Sequence, residues 1–152
     1  MALMRVEHLL SLDDIVLDLD VGGKPALLQT LAARAAHRLG RDAQEVSAAL
    51  LARERLGTTA LGRGVALPHA RLAGADPPLT LFARLRRPID FEARDEEKVD
   101  LVFAVLWPEE AAEGFLPALS GLCRSLREPA FLLGLRRAAT PAEVLALLAR
   151  PG

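Results

Sequence analysis

The chain carries one cysteine, three histidines and only two lysines, Lys24 and Lys98, among nineteen basic residues. A lone Cys123 forms no intramolecular disulfide, which suits a reducing compartment. Net charge is −1, so no basic field points to nucleic acid or to an acidic membrane surface. The longest apolar run, Leu101 to Trp107, is far short of the ~20 residues of a membrane helix, so direct membrane insertion is not expected. The N-terminal "MALMRVEHLL" has no long apolar stretch followed by a small-residue cleavage site. These absences lead to an expectation of a soluble, cytoplasmic protein.

What is present is the composition of one folded unit. Length 152 with 51% hydrophobic and 26% charged residues suits a single domain over residues 1–152 rather than two, or a disordered chain. "DIVLDLDV" alternates, placing Ile15, Leu17, Leu19 and Val21 on one side of a half-buried strand. Two helices follow. The first runs from Lys24 to a stop at Gly40, and the second opens on Asp42 and Glu45, an aspartate form of the capping box, and closes at Gly57. Val65 to Leu67 predict a short strand. "LTLFARLRR" predicts a strand with one largely polar face (Thr80, Phe82, Arg84, Arg86), whose Arg86 and Arg87 form a strand end in water. "VDLVFAVLWP" predicts a central strand covered on both faces.

Three helices complete the chain. In the first, over Glu113 to Glu128, Pro117 belongs in the opening turn and Cys123 in the core. A short second helix has Pro129 near its start. The third has Thr140 as N-cap, Pro141 at the first helical position and Glu143 at the third. The order β-α-α-β-β-β-α-α-α, with a short N-terminal helix carrying His8, describes an α/β domain.

The chemistry concentrates in "GTTALGRGVALPHAR", residues 57 to 71. Glycines, two threonines and a Pro-His step shape a backbone around one imidazole, His69, with Arg53, Arg63 and Arg71 close in sequence. The loop lacks the Gly-Lys-Ser/Thr ending of a P-loop and the Gly-x-Gly-x-x-Gly of a dinucleotide fold. No second histidine or cysteine stands at ligand spacing, so no metal is expected, and there is no Gly-x-Ser-x-Gly elbow. His37 lies among Arg34, Arg38 and Arg41 on a solvated helix face. Two readings of His69 stand side by side on the residues alone. It is a structural histidine in a turn, or a covalent phosphate carrier, since an exposed imidazole nitrogen is nucleophilic near neutral pH.

"LLARERLGTTALGRGVALPHARL" resembles the signature of enzyme IIA components of the bacterial phosphotransferase system, of the fructose/mannitol class and its nitrogen-regulatory branch. Arg53-Glu54, Gly57-Thr58-Thr59, Gly62-Arg63-Gly64 and Pro68-His69 carry the likeness. "RPIDFEARDEEKVDLVFAVLWP" and "FLPALSGLCRSLRE" extend it. The resemblance implies a mixed β-sheet flanked by helices and no cofactor. It also implies a phosphotransferase component with a phosphohistidine intermediate, formed when His69 Nε2 accepts a phosphoryl group from a histidine-phosphorylated, HPr-like carrier. Arg53 matches the family's active-site arginine. Thr58, Thr59, Arg63 and Gly64 match the loop that would hold the phosphoryl oxygens. Enzyme IIB or regulatory target proteins are implied as further partners.

Two positions depart from the pattern. The slot of the family's second active-site histidine holds Phe115, which donates no hydrogen bond; one such donor is worth about 1–3 kcal/mol unless Arg63 or Thr59 replaces it. The usual Gly-Asn-Gly reads Gly-Arg-Gly, which is expected to bring a charge toward His69. A chain this short, with no membrane segment, is expected to be a free-standing regulatory protein. The missing second histidine supports the alternative of a non-transferring binding module of the same fold, and a sugar-specific transport component is a third reading.

Overall fold

The computed structural model of the chain describes residues 10–149. The helix expected around His8 lies outside them. A six-stranded mixed sheet is built from β1 (Ile15–Leu19), β2 (Ala60–Gly62), β3 (Val65–Ala66), β4 (His69–Leu72), β5 (Leu79–Ile89) and β6 (Val99–Pro108). Strand order is β1-β5-β6-β3-β2, with β4 also paired to β6. Helices α1 (Lys24–Leu39) and α2 (Ala43–Arg55) cover one face, and α3 (Phe115–Ser125), α4 (Pro129–Arg137) and α5 (Pro141–Leu148) cover the other. The α/β class, and β6 as the strand buried on both faces, agree with the sequence reading.

The local signals explain most element ends. Gly40 takes a left-handed conformation (φ 66°) and closes α1 with its N–H on the Ala36 carbonyl. Thr140 caps α5 by accepting the Glu143 N–H at 3.2 Å, with Pro141 in the first turn. Asp42 caps α2, but through the Gln44 N–H at 3.0 Å. The expected capping box does not form, because the Glu45 carboxylate pairs with Arg41 instead.

Two strands differ from their patterns. Asp18 has φ 57°, and the β1–β5 register shifts between Val16 and Leu19. Ile15 and Leu17 therefore pack toward α3–α5, whereas Leu19 and Val21 pack toward α1 and α2, not on one side as alternation implied. On β5 the face expected to be polar is largely interior. Thr80 and Phe82 are fully buried, Phe82 lying against Phe103 with ring centroids 4.7 Å apart. Arg84 Nη1 donates to the Leu135, Arg136 and Ala138 carbonyls at 3.0, 3.2 and 2.6 Å, capping the C-terminal end of α4. Arg86, Arg87 and Pro88 are exposed, and Arg87 pairs with Asp20 at 2.8 Å.

Candidate functional site

The chain runs along β6 twice in succession, as β3 and as β4, and Leu67-Pro68 is the joint. Val65 and Ala66 lie opposite Leu101 and Val102; His69 then resumes the parallel pairing opposite Val105. A proline suits this joint because a break in the ladder there strands no N–H. The Pro68 carbonyl accepts the Val105 N–H, and Leu67 N–H donates to the Thr59 carbonyl, both at 3.0 Å. The backbone on either side of the imidazole is thereby pinned.

His69 Nδ1 lies 2.8 Å from the Leu67 carbonyl oxygen. A carbonyl only accepts, so Nδ1 carries the proton and Nε2 the lone pair. Arg53, in the last turn of α2, donates from Nε to His69 Nε2 at 3.3 Å, and its Nη1 is held by the Gly57 carbonyl at 3.0 Å. Burial is the main influence that lowers the His69 pKa, and the Arg53 guanidinium lowers it further. The Leu67 carbonyl and Glu54 act in the opposite direction. The net result is a neutral imidazole whose Nε2 lone pair accepts from the Arg53 guanidinium at 3.3 Å; once that contact yields, the nitrogen can act as a nucleophile.

Phe115, the first residue of α3, closes another side of this imidazole. The two ring centroids are 5.6 Å apart with planes at 65°. Trp107, at the end of β6, lies 5.7 Å behind Phe115 and is anchored by its indole N–H to the Ala111 carbonyl at 2.7 Å. The slot implied for a second histidine is thus an apolar wall.

The other loop residues are differently employed. Thr58 donates its hydroxyl to the Phe91 carbonyl at 2.8 Å and accepts the Ala60 N–H at 3.1 Å. Thr59 gives its hydroxyl and its N–H to the Glu54 carboxylate. Glu54 also pairs with Lys24 at 2.8 Å, and Lys24 rests over the Phe91 ring. Both threonine hydroxyls therefore hold the loop together.

Arg63 and Gly64 are not brought to His69. Gly62, Arg63 and Gly64 all have positive φ in the turn between β2 and β3. Arg63 Nη1 donates to the Arg127 carbonyl at 3.1 Å, and its own carbonyl accepts from Arg136 at 2.7 Å. The Gly64 carbonyl accepts the Asp100 N–H, whereas His69 faces Val105 five residues further along β6, about 16 Å away at strand rise. The expected charge near the imidazole is instead tied down at the far end of the sheet.

Glu54, Lys24 and Trp107 shape the site although no role was read for them. The Arg-Glu step in the signature was the signal for Glu54. Cys123 is half-buried with its thiol pKa raised by burial, which suits packing rather than nucleophilic chemistry. Among the described residues, no three His, Cys, Asp or Glu side chains form a group able to hold a metal ion. No helix among them is long and apolar enough to cross a membrane.

A family model, phosphoenolpyruvate-dependent sugar phosphotransferase system, EIIA 2, matches residues 8–150. The nitrogen regulatory protein of Bradyrhizobium diazoefficiens is 43% identical over 148 residues, spanning 97% of each chain. The crystal structure of nitrogen regulatory protein IIA-Ntr from Neisseria meningitidis superposes with a TM-score of 0.90 at 35% identity, over 95% of this chain and 99% of that one. Enzyme IIA for mannitol from Escherichia coli, in complex with phosphorylated enzyme IIB, shares the fold. Its TM-score is 0.76 at 20% identity, over 92% of this chain and 96% of that one.

Proposed function

Because the chain belongs to the phosphoenolpyruvate-dependent sugar phosphotransferase system EIIA 2 family and takes its phosphoryl-accepting, regulatory role, we propose that His69 Nε2 is the acceptor atom. The observation that carries this is the pair of contacts on the ring, Leu67 carbonyl on Nδ1 and Arg53 on Nε2. The lone pair of Nε2 attacks the phosphorus of a phosphohistidine on a small HPr-like carrier. The donor's N–P bond breaks and its electron pair returns to the donor nitrogen. With a proton already on the donor's other ring nitrogen, that ring leaves as neutral imidazole and no proton has to move. Positive charge developing on the imidazole is stabilised at Nδ1–H by the Leu67 carbonyl. The incoming phosphoryl oxygens meet the Arg53 guanidinium and loop amides.

The nitrogen regulatory relatives favour a regulatory protein over a sugar-transport component that passes the group to an enzyme IIB. The added negative charge beside Arg53 then changes which partners the surface accepts. Phe115 supports a second reading, a binding module without productive transfer, since a phenyl ring offers a phosphoryl oxygen no hydrogen bond.

Incubation with the phosphorylated carrier, followed by intact-mass measurement and peptide mapping under conditions that preserve phosphohistidine, separates the two. Transfer should add one phosphoryl group, on the peptide holding residues 64 to 71. An unmodified chain would favour the binding module, and modification of His8 or His37 would overturn the assignment of the acceptor.

A further inference from the structure

Arg53 and Glu54 are neighbours at the end of α2, yet they serve opposite nitrogens of the same imidazole. Arg53 touches Nε2 directly. Glu54 reaches Nδ1 through a chain of contacts. Its carboxylate takes the Thr59 N–H (3.3 Å to each oxygen) and the Thr59 hydroxyl. The Thr59 carbonyl takes the Leu67 N–H at 3.0 Å, and the Leu67 carbonyl takes the His69 Nδ1 proton at 2.8 Å. At the other end Lys24 Nζ sits 2.8 Å from Glu54, with the two side chains only 13% and 5% exposed. So dry an ion pair is strongly coupled to its hydrogen-bond partners.

The identity of the protonated nitrogen follows from the hydrogen bond that the other ring atoms find. An imidazole released from the Leu67 carbonyl keeps only the longer Arg53 contact, 3.3 Å on Nε2, to oppose a proton there, and each molecule protonated at Nε2 has lost its nucleophilic lone pair. We propose that Glu54, held by Lys24, is a positioning residue: acting through Thr59 and the Leu67 carbonyl, it keeps the ring proton on Nδ1 and Nε2 unprotonated. The inference rests on His69 being the phosphoryl acceptor. It gives the Glu of the Arg-Glu step a role in tautomer selection that a purely fold-stabilising ion pair does not have.

The test is two-bond nitrogen–proton correlation of the His69 ring, recorded above the histidine titration range, together with phosphorylation kinetics. The double variant Lys24→Met/Glu54→Leu removes both charges together, which tends to spare stability, and it cuts the chain of contacts. A population protonated at Nε2 should appear. Phosphorylation at saturating carrier should slow about tenfold, with the half-saturating carrier concentration unchanged. Glu54→Gln retains an acceptor for Thr59 and should keep the wild-type tautomer.

Thr59→Val, which deletes the hydroxyl link alone, should shift the tautomer in the same direction, and it decides the matter if the double variant does not fold. A wild-type tautomer and rate in the folded double variant, or in Thr59→Val where the double variant does not fold, would overturn the proposal. The spectrum needs no phosphoryl transfer. A wild type that is never phosphorylated therefore defeats the acceptor reading while the tautomer still decides the positioning role.

Discussion

Phe115 meets His69 edge to face, 5.6 Å between ring centroids, and is itself backed by Trp107. The contact excludes water from one side of the imidazole and supplies no donor. With Arg63 remote and both threonine hydroxyls committed to the loop, Arg53 is the side chain in contact with Nε2. Phe115→His should therefore accelerate phosphorylation by about tenfold, the value of one hydrogen bond of ~1.4 kcal/mol to the phosphoryl group. Stopped-flow or quench-flow transfer from the carrier would measure it. An unaltered rate would mean that backbone donors already saturate the phosphoryl oxygens.

Arg53 is held at two points, Nε on His69 and Nη1 on the Gly57 carbonyl, which a lysine does not reproduce. Arg53→Ala should slow transfer roughly 10- to 100-fold, corresponding to ~1.5–3 kcal/mol for a charge-assisted contact. Arg53→Lys should recover only a minor part. Circular dichroism should be unchanged for both, since Arg53 is half-exposed at a helix end.

Acid should act through His69. Burial first, and Arg53 in addition, hold its pKa below the ordinary value of about 6.5. The transfer rate should be flat above neutral pH and fall in acid with a midpoint below that value. Folding stability should follow in the same direction. Between the two pKa values the unfolded chain binds the proton and the folded one does not, so stability present above about pH 6.5 is lost as pH falls through the folded value. Urea midpoints against pH, for wild type and His69→Gln, test this; the substitution should remove that part of the acid loss.

Arg63→Ala should leave the transfer rate within about twofold of wild type, because its guanidinium is bound at the Arg127 carbonyl. Gly64→Ala should act on stability instead. A Cβ there would come within 2.6 Å of Arg136 Nη2 and 2.8 Å of Asp100 Oδ1, at φ +79°. A loss of about 2 kcal/mol or more by urea denaturation is expected. A rate defect in Arg63→Ala would contradict the separation along β6.

Asp14 is fully buried and accepts from Ser11 N and Oγ and from Arg38 Nε and Nη2. Asp14→Ala should cost about 1–2 kcal/mol in urea denaturation, from the lost bonds to Ser11 and Arg38, whose freed donors are exposed enough to be hydrated, and leave the transfer rate of the folded fraction unchanged.

The cap of α5 and the shaped loop around His69 could be read in the sequence because each depends on neighbours within a few residues, whereas Arg53, sixteen residues from His69, is reached through the family resemblance. Glycine, proline and histidine in one loop, or Thr140-Pro141 with Glu143, announce local geometry directly. What escaped is set by distant pairing. Thr58 and Thr59 look the same in a sequence whether their hydroxyls face a ligand or, as here, Phe91 and Glu54. The strand register that carries Arg63 away from His69 involves β6, some thirty-five residues downstream in the chain. β2 and β4 are too short, at three and four residues, for a period of two to identify them.

The atoms that hold His69 and Arg53 in place belong largely to the main chain: the carbonyls of Gly57, Thr59, Leu67 and Pro68. Main-chain atoms survive the replacement of the side chains they carry. Apart from Lys24, Glu54 and Thr59, much of the sequence around the imidazole is therefore free to drift while its orientation is inherited intact. Selection is left to act on a few positions, and a change as large as an aromatic hydrocarbon at position 115 can enter without dismantling the acceptor.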